Sequence, residues 1–214
     1  MRSLENEGVD VMFGYPGGAI MPTFDALYDH RKTLNHILVR HEQAAAHAAQ
    51  GYAHVSGKVG VCLVTSGPGV TNTITGIADA MMDSTPIVVI AGQVGASFLG
   101  SDAFQEVDLV GVTQPISKWA YQIRRPEDVA WAVSRAFYIA RSGRPGPVLL
   151  DIPKNITAEI ADYEPLRRSH HAANGHLAQL MARSSQNFQA PEPDHADIEK
   201  LVEMIAESKK PMII

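Results

Sequence analysis

The chain has 214 residues, room for one domain of about 150 residues and a remainder. Its 45% hydrophobic and 19% charged content is that of a soluble globular protein, and a net charge of -5 supplies no basic field for nucleic acid. No apolar run approaches the roughly 20 residues of a membrane span and MRSLENEGVD lacks a signal-peptide core, so a cytoplasmic protein with neither membrane nor nucleic-acid partner is expected.

Along the chain, a helical pattern at residues 2–7 begins without a cap, and a clipped N-terminus is an open expectation. Apolar runs at 9–13, 36–39, 59–65, 86–91 and 147–152 read as strands, most of them apolar on both faces. Between them lie helical patterns at 21–30, 42–55, 70–82 and 127–141, the last preceded by Pro126, a residue suited to a first helical turn. Its Val129, Ala132, Val133, Ala136 and Ala140 recur at three- and four-residue spacing and lay one stripe onto a sheet. The alternation predicts an open parallel α/β sheet with helices on both faces. The single Cys62, inside the apolar run VGVCLV, reads as a buried inert thiol and excludes an intrachain disulfide.

The character changes after Ile160. Residues 1–163 are read as the α/β domain, and 164–194, poor in large apolar residues, as a partly disordered linker. Residues 195–214 are read as the start of a second α/β domain cut short, with a helix at 196–208 followed by the entry to a strand.

Ligands of an open α/β sheet bind at the carboxyl ends of its strands. The first strand runs into Gly14, Tyr15, Pro16, Gly17, Gly18 and Ala19, where three glycines let backbone approach a ligand, although a plain tight turn accounts for them as well. The second runs into Arg40, His41 and Glu42; a glutamate there can simply complement a helix dipole. The third runs from Thr65 into Ser66, Gly67, Pro68, Gly69, Val70, Thr71 and Asn72. A nicotinamide fingerprint would need glycine where Asn72 stands and an acidic residue closing the next strand. That strand ends in Ile90, Ala91, Gly92 and Gln93, so the dehydrogenase reading fails.

The segments RHEQAAAHAAQGYA, TSGPGVTN, AGQV, DAFQE and SGRPGPVLLDIPK, in this order and spacing, resemble the pyrimidine-binding domain of the acetolactate synthase (acetohydroxyacid synthase) family over residues 4–160. RHEQ and SGPG loops are shared by many thiamine diphosphate enzymes; DAFQE with SGRPGP is similar to the biosynthetic, flavin-containing branch. The resemblance implies decarboxylation of pyruvate and condensation of the two-carbon unit with pyruvate or 2-ketobutyrate, on the way to valine, leucine and isoleucine. It implies that Glu42 is the catalytic carboxyl, hydrogen-bonded to the cofactor's pyrimidine and favoured in its protonated form by a dry pocket. Gln105 would lie close to the bound intermediate. Tyr15, Pro16 and Gly17 would form one wall of the cofactor pocket, and Thr65, Pro68 and Asn72 the other. Gly18, Ala19, Phe104 and Lys118 would line the substrate channel, and Arg144 would contact a structural flavin (FAD). Read without the resemblance, Phe104 is core packing, and Lys118 and Arg144 are ordinary surface residues. Gly95 departs from many relatives, which carry proline or another residue there, a caution about channel shape.

Magnesium ligands of the family's GDG-type motif are absent from these residues, as is most of its flavin domain, so the piece is expected to hold half a site and to be inactive by itself. A homodimer or tetramer is expected, with a small regulatory subunit as a possible partner. Alternatives are another thiamine diphosphate enzyme (pyruvate oxidase, glyoxylate carboligase or catabolic acetolactate synthase) and a non-catalytic binding module of the same fold. No metal site is assigned: His41, His47 and His54 are badly spaced for one helical turn, and His170 and His171 lie in the linker.

Overall fold

The computed structural model describes residues 1–163 and 194–210. Six strands, β1 (Val11–Gly14), β2 (Asn35–Leu38), β3 (Gly60–Val64), β4 (Ile87–Gln93), β5 (Trp119–Gln122) and β6 (Val148–Pro153), form one sheet in the order β2-β1-β3-β4-β6-β5, every pairing parallel. The helices are α1 (Arg2–Asn6), α2 (Met21–His30), α3 (Glu42–Ser56), α4 (Pro68–Thr71), α5 (Ile74–Met82), α6 (Leu109–Thr113), α7 (Val129–Arg141), α8 (Lys154–Ala158) and α9 (His195–Glu207).

Side chains alternate along each strand, so the sheet separates two cores. Met12, Val61, Leu63, Val88, Ile90, Val148 and Leu150 face one side with Leu4 of α1, Leu27 of α2, Ile156 of α8 and the Ala132, Val133, Ala136, Ala140 stripe of α7. Phe13, Cys62, Val64, Val89, Ala91 and Leu149 face the other, with Ala45 and Ala49 of α3, Ile77 and Ala80 of α5 and Leu109 of α6. Residues throughout β3, β4 and β6 are buried, and each large aliphatic side chain so removed from water contributes on the order of 1.5–3 kcal/mol.

The expected strands and helices are present with boundaries moved by at most two residues, and four differences stand out. β2 is an edge strand whose Ile37 and Leu38 are exposed. The helix expected at 70–82 is two, because Thr73 donates from both N and Oγ1 to Val70 O and the chain restarts at Ile74. The helix expected from 127 opens as a 3-10 turn, Pro126–Asp128, before α7. The sequence also holds a sixth strand, β5, that its pattern did not announce. Helix α9 is capped by Asp194, whose side chain accepts from Ala196 N at 2.9 Å, and none of its residues is buried. The expected linker, apart from Asp194, and the expected strand entry at 211–214 lie outside the described residues.

Candidate active site

Because all strands are parallel, the segments following β1, β2, β3 and β4 emerge at the same end of the sheet. At that end α3 begins. The β2–α3 turn is closed by His41, whose Nδ1 accepts from Gln43 N at 3.2 Å, and this sets Glu42 in the first helical turn. Its carboxylate is met at the end of α4: Asn72, that helix's C-cap, donates Nδ2 to Glu42 Oε2 at 2.9 Å. Glu42 is half-buried. Its charge also reaches the neighbouring strand: burial above all, and Glu42 second, push the Cys62 thiol far up, which leaves it inert.

Thr65 sits between two glycines. A Cβ on Gly17 would come within 2.5 Å of Thr65 Cβ, and one on Gly69 within 2.6 Å of Thr65 Cγ2 and 3.6 Å of Glu42 Oε1. The loops after β1 and β3 therefore close on each other only because both positions lack side chains. Thr65 Oγ1 is buried between them with no hydrogen-bond partner among the described residues, an acceptor and donor held ready beside the Glu42 and Asn72 pair. Tyr15 N is fixed to Leu63 O at 3.1 Å, while the ring, 41% exposed, and Pro16 lie open on the β1 side; Pro68, also exposed, opens α4. Gly18 has open space around it, and Ala19 packs where a Cβ on Gly92 would meet its carbonyl carbon at 3.1 Å.

The loop after β4 arches back over this cleft. Gln105 has φ +60°, an uncommon conformation for a residue other than glycine, and its Cα would lie 2.9 Å from a Cβ on Gly67, itself at φ +56°. Phe104, beside it, is 87% exposed and belongs to no core. Strained backbone of this kind gathers at functional sites.

Two expected site residues are not brought to this cluster. Lys118 precedes β5, at the amino end of the sheet, where its ammonium donates to Ile139 O and, at 2.5 Å, to Ser142 O, capping the end of α7; burial lowers its pKa. Arg144 lies at the same end, its Nε donating to Ser84 Oγ at 2.7 Å and Nη2 to Met82 O at 2.8 Å and Met81 O at 3.1 Å, which caps α5. Both hold helix C-termini, as cations do against the dipole. In the other direction, pattern reading passed over Asp151 and Gln93, buried polar residues at the ends of β6 and β4. A lone carboxylate in VLLDIP, an otherwise apolar strand, was the available signal.

Residues 1–112 match the family described as thiamine pyrophosphate enzyme, N-terminal TPP binding domain. Among curated proteins the chain is 51% identical over 193 residues to the acetolactate synthase of Mycobacterium bovis, covering 85% of this chain and 31% of that protein. It is 47% identical to the acetolactate synthase large subunit of Parasynechococcus marenigrum and 46% to the acetolactate synthase isozyme 2 large subunit of Escherichia coli K12, in both cases over 100% of this chain and 33% and 35% of theirs. The chain thus spans about a third of the length of these relatives. With the family match over more than half of its residues, the chain belongs to the thiamine pyrophosphate enzymes, residues 1–112 matching their N-terminal TPP binding domain.

Proposed function

We propose that the chain is the pyrimidine-side part of an acetolactate synthase catalytic subunit, which converts two pyruvates to acetolactate and carbon dioxide, or pyruvate and 2-ketobutyrate to acetohydroxybutyrate and carbon dioxide. The observation that carries this reading is the Glu42–Asn72 contact at 2.9 Å beside the Thr65 hydroxyl, which has no partner among the described residues, in a chain whose relatives carry that name. The Glu42 carboxyl, the Thr65 hydroxyl and the Asn72 amide lie together where the glycine-backed loops after β1 and β3 meet, a set that suits an aminopyrimidine.

Thiamine diphosphate, when bound, supplies the carbanion chemistry that protein side chains lack. The chain's part is then to bind and orient. Glu42 would hold or share a proton at the pyrimidine ring nitrogen, and Asn72, by donating to Oε2, leaves Oε1 free of that contact and fixes the carboxyl's rotation. Tyr15, Pro16, Gly17 and Pro68 would flank the ring. Gln105 and Phe104 would stand at the entry through which a 2-keto acid arrives.

Magnesium and FAD belong to the proposal. The magnesium ligands are assigned, as the resemblance implies, to the rest of the subunit. Arg144, exposed and locked by its three acceptors, offers a fixed guanidinium edge to a flavin; at the amino end of the sheet it stands away from Glu42, as suits a flavin with no electron to transfer in this reaction. The assembly is proposed to be a cytoplasmic homodimer or tetramer, with a regulatory subunit.

The test is the full-length protein, assayed for acetolactate from pyruvate with thiamine diphosphate, magnesium and FAD. Glu42→Gln keeps the shape but removes the ionisable carboxyl, and turnover should fall by about 10²–10⁴-fold, the span of acid–base assistance. Wild-type activity retained in that variant, or no acetolactate from the wild type, rejects the reading.

A further inference from the structure

The loop that carries Phe104 and Gln105 is anchored from below by residues that lie outside the cofactor slot. It closes on itself first: the Glu106 carboxylate accepts from Gly100 N and, at 3.0 Å, from Ala103 N, bonds that hold its pKa down. Asp108 ends it by capping α6, accepting from Gly111 N at 2.9 Å. Neither contact ties the loop to the sheet. That tie is Gln93, the last residue of β4 and only 1% exposed, whose Nε2 donates to Val107 O at 2.9 Å while its Oε1 accepts from Val94 N at 2.9 Å.

Asp151 lies next to it. In the sheet register Ala91 pairs with Asp151 and Asp151 with Gln122, so Gln93, two residues beyond Ala91, shares a face with both. Asp151 is fully buried, and its Oδ2 accepts from Gln122 Nε2 at 2.7 Å. Its Oδ1 has no aligned hydrogen-bond partner among the described residues, yet the Gln93 amide is near enough to draw the carboxyl's pKa down against the larger upward push of burial. An ionised carboxylate accepts only, so a neighbouring amide turns its NH2 edge toward it. That orientation is the one that leaves Gln93 Nε2 to serve Val107 and Oε1 to serve Val94.

We propose that Gln93, oriented by Asp151, is a positioning residue that fixes the 100–108 loop over the Gly67 turn and so sets Phe104 and Gln105 at the mouth of the cofactor slot. The consequence for catalysis rests on the acetolactate synthase reading; the consequence for the loop does not. A buried amide spanning strand end and loop carbonyl is expensive to leave half-paired, and it also explains how the uncommon φ of Gln105 is held.

The experiment uses the full-length protein with Gln93→Leu and the milder Asp151→Asn. Amide hydrogen exchange of peptides over 100–108 should quicken by about tenfold or more in Gln93→Leu, with peptides from β3 and β4 unchanged and thiamine diphosphate affinity within about twofold, since Glu42, Asn72 and Thr65 have other supports. In the same variant kcat/KM for pyruvate should fall by roughly ten- to a hundredfold, and Asp151→Asn, which keeps an acceptor beside Gln93, should show a smaller change of the same kind. Unchanged loop exchange overturns the proposal, as does quickened exchange spread evenly through β3 and β4, which marks a plain core residue. If Gln93→Leu does not fold, loop exchange in Asp151→Asn decides alone. If the wild type makes no acetolactate, the functional reading fails while the exchange result still decides the loop.

Discussion

Glu42 and Asp151 are both acidic, yet their surroundings give them different work. Glu42 is half-buried against an amide donor, whereas burial carries the Asp151 carboxyl up to about 6, the amides of Gln122 and Gln93 pulling it back and Asp108 adding to the rise. A folded-state pKa above the unfolded value means that the native state binds the proton more tightly. The destabilisation is therefore fully present above about pH 6 and is relieved as pH falls toward the ordinary carboxyl range near 4. Asp151→Asn, which removes the charge and keeps the shape, should raise stability by about 1–3 kcal/mol at pH 7.5, with the advantage shrinking to near zero by about pH 4. Urea unfolding of both proteins at several pH values measures this, and a constant difference across that range would contradict the assignment. At this scale sequence and structure agree where a residue sits on a loop with its own signature: Glu42, Thr65, Asn72 and Gln105 meet at one end of the sheet. They diverge where a side chain's reach decides. Lys118 and Arg144 have several flexible bonds, and nothing in the string of letters shows that both heads turn to helix C-termini.

Elements were legible where burial dictates pattern. Both-face apolar runs identified β3, β4 and β6, and small-residue spacing identified α3 and α7. β5 escaped because its four residues are each half-buried and follow a Pro-containing turn, so they show neither a strand's alternation nor a core strand's uniform apolarity. The break between α4 and α5 escaped because it comes from one threonine hydrogen-bonding back to Val70, a local competition that periodicity does not register. Two glycines make the packing at this scale testable in opposite directions. A Cβ on Gly60 would stand 2.1 Å from Ala49 O, backbone against backbone between β3 and α3. Gly60→Ala should accordingly cost about 3 kcal/mol or prevent folding. Gly95 instead has φ -55°, and its nearest obstacle to a Cβ is Phe98 Cδ2 at 3.6 Å. Gly95→Pro fits that backbone and should stabilise by about 0.5–1 kcal/mol through the unfolded chain. Thermal melts of the two variants, one falling and the other rising, check the pair; a fall in both would show that the Val94–Gly95 turn needs a freedom that its φ does not reveal.

For the molecule as a whole, the two edges of the sheet differ. β5 is backed by a cluster in which Trp119 stacks on Tyr121 at 5.0 Å, Trp131 meets both edge-on and Arg135 lies 5.3 Å from the Trp119 ring centroid. β2 is covered less: His36 meets Phe24 of α2 edge-on at 5.1 Å, while Ile37 and Leu38 are exposed. Parallel sheets are normally covered, and a bare edge with apolar side chains invites pairing or a covering surface. A second copy paired against that edge would bury Leu38, which gives the proposed homo-oligomer a candidate interface. Sedimentation of the full-length protein at micromolar concentration should therefore give a dimer or larger assembly. Leu38→Lys, which puts a charge on the exposed strand without touching either core, should weaken association by at least about tenfold while leaving the protomer's thermal stability within about 0.5 kcal/mol. A wild type that sediments strictly as a monomer would remove the homo-oligomer from the proposal. A dimer indifferent to Leu38→Lys would move the interface to another face.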